Sequence, residues 1–289
     1  VLMEPAQPSL APDPSLSRAE MEVLQREIAD LATFEDDFDF DADAIGVESS
    51  IRTDAPGEQV HIDRARGGDA TASAGDDRCG SEPVVVGVDQ AFLDDRAVSG
   101  IVALRGEEVV ERAYAVTPLS VPYIPGLLSF REGGPILAAF EALTVVPDVA
   151  LFDGSGRIHF RQAGLATHLG VVLDLPSVGV AKRLLCGRPR EPVDELPEGA
   201  RVAIEGGERV ADAAGEVIGY AVQTRQFPSS MRINPVYVSP GHRVSAETAA
   251  DLALATAADY KLPEPIRLAD RYVGEVRDEL RVSSESDRS

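Results

Sequence analysis

Three acidic residues in this 289-residue chain stand at the ends of segments able to hold them still. An apolar, strand-like run, Val84-Val-Val-Gly-Val88, ends on Asp89, and a second, Val149-Ala-Leu-Phe152, ends on Asp153-Gly154. Glu132 lies between them, at the expected start of a helix. Carboxylates delivered by two strand ends and a helix end are what a divalent-metal site for phosphoryl transfer requires. Hard cations such as Mg²⁺ take oxygen ligands, and rigid elements hold the geometry while phosphate oxygens complete it. Singly, the three acids have ordinary uses as a strand-end cap, a helix N-terminal charge and a turn former. Together they would repel, and a divalent cation offsets that repulsion.

Four blocks in order, Tyr123-Ile-Pro-Gly-Leu-Leu-Ser-Phe-Arg-Glu132, Asp153-Gly-Ser-Gly-Arg-Ile-His159, Val178-Gly-Val-Ala-Lys182 and Tyr237-Val-Ser-Pro-Gly-His242-Arg243, go further than spacing. In order and spacing they resemble the endonuclease V family, over roughly residues 82 to 280, and Leu24-Gln-Arg-Glu-Ile-Ala29 is similar to that family's first helix. The resemblance implies a metal-dependent endonuclease that recognises deaminated bases, chiefly hypoxanthine. The cut falls a short distance 3′ of the lesion and leaves a 3′-hydroxyl. It implies Asp89, Glu132 and Asp153 as ligands of Mg²⁺, with Mn²⁺ able to substitute. His242 would lie at the metal centre as ligand or proton-transfer group, and Lys182 near it as a compact ammonium that neutralises phosphate charge. Tyr123 and Ile124, braced by Pro122 and Pro125, would form an apolar wedge that fills the space of an unstacked base. A hypoxanthine pocket would use backbone groups near Gly126, Leu127 and Gly154, and His159 would touch DNA near the scissile phosphate. Arg161 and Arg243 are candidate phosphate contacts, and His168 reads as a structural helix residue. The partner implied is DNA containing deaminated bases, bound by a monomer. The alternatives are an inosine-specific endoribonuclease and a lesion-binding protein that cuts poorly; an intact acidic set argues against the latter.

The elements that must position these residues follow from periodicity. Val84–Val88, Val98–Leu104 and Val109–Val116 read as three strands, Pro135–Leu143 as a helix and Val149–Phe152 as a buried fourth strand. Ala163–Leu173 reads as a helix, Ser177–Val180, Val217–Thr224 and Val236–Val238 as strands, and Ser245 as the cap of a helix over Ala246–Tyr260. Three consecutive strands followed by alternating helix and strand predict an α/β fold, a ribonuclease-H-like mixed sheet flanked by helices, over residues 81–280. Ahead of it, a Pro-rich tail over 1–15 is expected to be disordered. Residues 16–34 are expected to dock as a helix opened by the capping box Ser17-Arg-Ala-Glu20, with Leu24, Ile28 and Leu31 on one face. Residues 35–80 are expected to be an acidic, largely disordered insertion, and 281–289 a disordered tail.

Composition sets the surroundings. A hydrophobic content of 44% is ample for a core, and no apolar stretch approaches a membrane span. Together with the lack of a basic-then-apolar leader pattern, this predicts a cytoplasmic protein without membrane contact. Cys79 and Cys186 are the only cysteines and read as free thiols, Cys186 near the core. Val1 ahead of Met3 hints at an alternative start codon or a start placed too early. The net charge is −22, of which residues 1–80, with 19 acidic and 6 basic side chains, supply −13. Lys182 and Lys261 are the only lysines. An acidic, lysine-poor chain matches an extreme halophile, whose molar salt shortens the Debye length to about 3 Å and confines repulsion from DNA to near contact.

Overall fold

Valine- and isoleucine-rich runs alternate their side chains between two faces, and both faces are covered. The computed structural model describes residues 3–49, 51, 59–61, 82–227 and 233–286. One ten-stranded sheet contains β1 (Gln59–His61), β2 (Val84–Leu93), β3 (Arg96–Arg105), β4 (Glu108–Pro118), β5 (Val149–Asp153), β6 (Ser177–Ala181), β7 (Arg188–Pro189), β8 (Arg201–Glu205), β9 (Val217–Val222) and β10 (Val236–His242). Their spatial order is β1-β4-β3-β2-β5-β6-β10-β9-β8-β7. β2, β3 and β4 form an antiparallel meander, β5 and β6 run parallel to β2, and β10 returns antiparallel beside β6. This is the ribonuclease-H-like order that the sequence predicts.

Helices α1 (Arg18–Leu31), α2 (Leu128–Phe140) and α3 (Leu165–Leu173) cover one face, where Val84, Val86 and Val88 join Ile28, Ile136, Phe140 and Leu169. Helices α4 (Ala246–Ala255) and α5 (Glu264–Ser286) cover the other, with Val85, Leu151, Val178 and Val180 packed on Ala249, Leu252 and Ile266. Gly87 lets α5 approach β2, because a Cβ there would overlap the Pro265 backbone. No described helix is long and apolar enough to cross a membrane.

Several boundaries differ from expectation. The tail expected to be disordered is seated from Met3 onward: the Gln7 N–H donates to the Val172 carbonyl (2.9 Å) and Leu10 is buried in the core. Of the insertion, 50, 52–58 and 62–80 lie outside the described residues, as does Cys79, but 35–49 is packed. Ile45 is buried, Phe38 stacks on Phe40, and Asp36 caps α4 through Ser245 and Thr248. Scattered hydrophobics in an acidic segment here serve as anchors. The capping box of α1 forms, yet its buried stripe is Met21, Gln25 and Ile28, and Leu31 is 51% exposed. Helix α2 starts seven residues before Pro135, and α5 continues through Ser286, beyond the expected end of the domain at 280. The Ser239-Pro-Gly-His segment, expected as a loop, continues β10 through a bulge between Pro240 and His242.

His168 is a structural residue. Its ring is fully buried on α3, Nε2 donates to the Leu10 carbonyl at 2.8 Å, and burial pushes its pKa down to about 4. A folded value below the ordinary histidine value means the unfolded chain binds the extra proton between about pH 6.5 and 4. Stability is therefore lost as pH falls through that window. Relative to His168→Asn, the wild-type protein should lose about 2–3 kcal/mol more between pH 7 and pH 4, read by denaturant melts. Parallel pH dependences would show that the histidine is not held neutral.

Candidate active site

Register places two of the predicted acids side by side. Val88 pairs with Phe152 across parallel β2 and β5, so Asp89 and Asp153 are the next residues at neighbouring C-terminal ends. Alternation then sets their direction. Val85, Leu151 and Val180 face α4 and α5, and Asp89, Asp153 and Lys182 lie an even number of residues further along the same strands. Lys182 Nζ donates to Asp153 Oδ2 at 2.7 Å. Glu132 comes from the second turn of α2, not from its first residue. Gln90, next to Asp89, ties that turn to the sheet, its Nε2 donating to the Glu132 carbonyl at 2.9 Å and to Ser99 Oγ at 2.7 Å.

A fourth acid joins them that the sequence reading missed. Asp270, on α5, stands close enough to Asp89 to push its carboxyl pKa up. The close seat of α5 on Gly87 and Gly100 carries it there. A legible signal existed: Ile266, Ala269, Tyr272, Val273, Val276 and Leu280 form a helical stripe after Pro265, and Asp270 is flanked by it.

Electrostatics mark the cluster. Burial pushes the Asp89 carboxyl up to about 8, and the charges of Asp153 and Asp270 add to the shift. Burial pushes Glu132 up to about 7, reinforced by Asp153 and opposed by Arg131. Lys261, the second lysine, lies near the same edge, its carbonyl accepting from the Thr224 hydroxyl at 2.6 Å. Burial first, and the Lys182 charge second, hold its pKa below the usual value. Among the described residues, no three His, Cys, Asp or Glu side chains stand as a ready-made cage for an ion. The donor set still suits a hard cation, because partly desolvated carboxylates with raised pKa values are groups whose ionised forms a bound cation would stabilise.

His242 is not brought to these acids. Because the Ser-Pro-Gly-His segment extends β10 antiparallel to β6, His242 pairs with Ser177, whereas Asp153 pairs with Val180. Three strand positions separate the two levels, roughly 10 Å along the sheet. At that far end the Thr33 N–H donates to His242 Nδ1 at 3.2 Å, and Nε2 faces Asp174 Oδ1 at 3.4 Å. Arg243 is engaged there too, with Asp37 and Asp174.

The segment expected to recognise the base is built around a tight turn. Ile124-Pro125-Gly126-Leu127 closes with Leu127 N–H donating to the Ile124 carbonyl at 3.0 Å, and Gly126 takes φ +80°, as a type II turn with Pro and Gly at its centre requires. Pro122 and Pro125 are exposed, and Tyr123 is 67% exposed. Ile124 instead leans into a small cluster with Met21, Leu127 and Phe130, so the two members of the expected wedge part company. The Gly126–Leu127 peptide is already occupied, its N–H in the turn and its carbonyl by Gln25 Nε2 and His159 Nε2. The Gly154 N–H donates to the Val180 carbonyl at 3.1 Å. His159, expected at the DNA, is only 3% exposed, beneath the loop. Arg161 is paired with Glu22 at 2.8 Å.

Comparison with known proteins agrees with this architecture. The family model Endonuclease V matches residues 72–271. Endonuclease V of Haloarcula marismortui is 55% identical over 278 residues, covering 95% of this chain and 98% of its own. The crystal structure of endonuclease V from Streptomyces avermitilis superposes with a TM-score of 0.67 at 30% identity, over 92% of this chain and 95% of that one. Endonuclease V of Ciona intestinalis, solved in complex with a 24-mer DNA containing an inosine followed by a ribo-adenosine, superposes with a TM-score of 0.63 at 26% identity, over 91% and 98%.

Proposed function

The chain belongs to the endonuclease V family, and from that premise we infer how its residues divide the work of a repair endonuclease acting on deaminated bases in DNA. Members of the family are nucleases, generally metal-dependent. For this chain we assign Mg²⁺ as the cation, with Mn²⁺ able to substitute, and a cut 3′ of the lesion that leaves a 3′-hydroxyl. Asp89, Asp153 and Glu132 would hold the cation, with Asp270 beside Asp89. When bound, it supplies charge stabilisation for the pentacovalent phosphate and lowers the pKa of water. The observation that carries this reading is the gathering of four acids at the C-terminal ends of the central strands β2 and β5, with Asp89 and Glu132 held partly protonated by burial.

Lys182 does the positioning that a carboxylate cannot. Its ammonium bridges from Asp153 to solvent and is half-exposed, so a backbone phosphate can take its remaining donors. Tyr123 supplies the exposed aromatic surface beside the turn, while Ile124 anchors the turn to α1 and α2. An acidic protein can approach DNA in this way because salt screens the distant charge, while contacts within a few ångströms survive.

The test is cleavage of matched DNA and RNA oligonucleotides, each with one inosine, in molar KCl with Mg²⁺. Cutting of the inosine-containing DNA at a single phosphodiester, with the undamaged strand intact, is the expected result. Equal cutting of undamaged DNA would overturn base recognition, and a strong preference for the RNA would make the protein an endoribonuclease.

A further inference from the structure

Helix α1 carries a polar residue in the middle of its buried stripe. Gln25 is 1% exposed and lies between Met21 and Ile28, a position that an apolar side chain would fill at lower desolvation cost. Its amide is used on both sides. Nε2 donates to the Gly126 carbonyl at 3.0 Å and reaches the Ala163 carbonyl at 3.3 Å. Oε1 accepts from Arg161 Nη1 at 3.0 Å, and Arg161 in turn pairs with Glu22 on the same helix.

The Gly126 carbonyl has a second donor. His159 Nε2 lies 3.1 Å from it, and the Arg161 N–H donates to His159 Nδ1 at 3.2 Å. Those partners fix the neutral tautomer with the proton on Nε2. Two buried donors on one carbonyl leave the peptide after Gly126 a single orientation. That peptide is the exit of the type II turn, three residues from exposed Tyr123 and one residue before α2 begins.

We propose that Gln25 is a positioning residue for base recognition: through the Gly126 carbonyl, helix α1 sets the stance of the turn that presents Tyr123. The proposal rests on the assignment of Tyr123 as the wedge. It gives the N-terminal helix a part in substrate choice while leaving the metal ligands alone, since Gln25 contacts none of them.

Gln25→Glu isolates the contact. The carboxylate keeps an acceptor for Arg161, and so keeps α1 tied down, but it has no donor for Gly126. Binding to inosine-containing and undamaged duplex would be measured by anisotropy in molar KCl without metal, in wild type, Gln25→Glu, Tyr123→Ala and the double variant. The expected result is a roughly tenfold fall in the ratio of inosine to undamaged affinity for Gln25→Glu, with undamaged binding unchanged. In the Tyr123→Ala background the same substitution should cost much less, because both act through one loop. A ratio unchanged by Gln25→Glu overturns the proposal, as does a full, additive loss in the double variant. Tyr123→Ala binding like wild type overturns the wedge and with it the route from Gln25 through Tyr123, whereas an unchanged Gln25→Glu ratio beside a weakened Tyr123→Ala overturns the positioning role alone. Gln25→Met, which keeps the buried shape, carries the same expectation should the added charge unfold the chain.

Discussion

Asp89→Asn should abolish strand cleavage and, in the same protein, raise the melting temperature of the metal-free form. The first effect follows from ligands acting as a unit: loss of one misplaces the cation, so turnover should fall by about 10³-fold or more. The second follows from linkage. Burial, with the charges of Asp153 and Asp270, pushes the folded-state pKa of Asp89 up to about 8. A carboxyl with a raised folded pKa binds its proton in the native state between about pH 4 and 8, where the unfolded chain has released it. Stability from this group is therefore present at low pH and lost as pH rises through 8. Asparagine carries no such dependence. The gap between variant and wild type should widen by about 4 kcal/mol between pH 5 and pH 9, on the order of ten degrees in melting temperature. Adding Mg²⁺ should stabilise the wild type and leave Asp89→Asn unmoved, closing the gap by mass action. A variant that melts below wild type at pH 9 without metal would mean that Asp89 is structurally satisfied and not a ligand held in waiting.

The parts of this site that were legible in the sequence are those fixed by local pattern. Valine runs ending on Asp89 and Asp153 define strands, and parallel pairing of two such strands brings their ends together without knowledge of the rest. Gly126 after Pro125 specifies its turn from two residues. What the sequence hid depends on partners distant along the chain. His242 looked like a loop residue because Ser-Pro-Gly-His is rich in turn formers. Pairing of β10 with β6 overrides that preference and carries the histidine to the opposite end of the sheet. Asp270 was hidden for the converse reason. Its helix is legible, but only the glycines at 87 and 100 allow α5 to lie close enough for the acid to reach Asp89. In the acidic segment, net charge suggested solvation throughout, yet a few apolar side chains seat residues 35–49, since Ile45 gains from burial while its acidic neighbours keep their hydration at the surface.

Tyr123→Ala should separate recognition from chemistry. The side chain is exposed on a braced turn, and the nearest apolar cluster takes Ile124 in its place, so its removal costs the fold little. Stacking of a base on an aromatic ring is worth about 1–3 kcal/mol, so affinity and cleavage for inosine-containing duplex should fall on the order of ten- to hundredfold. On single-stranded substrate the loss should shrink, because the base is already free of its partner and less must be pried apart. Asp153→Ala should behave in the opposite way, binding both forms and cutting neither, since it belongs to the acid cluster proposed to hold the cation, beside Lys182. The comparison is made by measuring dissociation constants and single-turnover rates for the two variants on matched single- and double-stranded oligonucleotides. Equal losses for Tyr123→Ala on both forms would assign the tyrosine to loop packing. The expected asymmetry would assign to one exposed ring the energy that holds an altered base out of its stack.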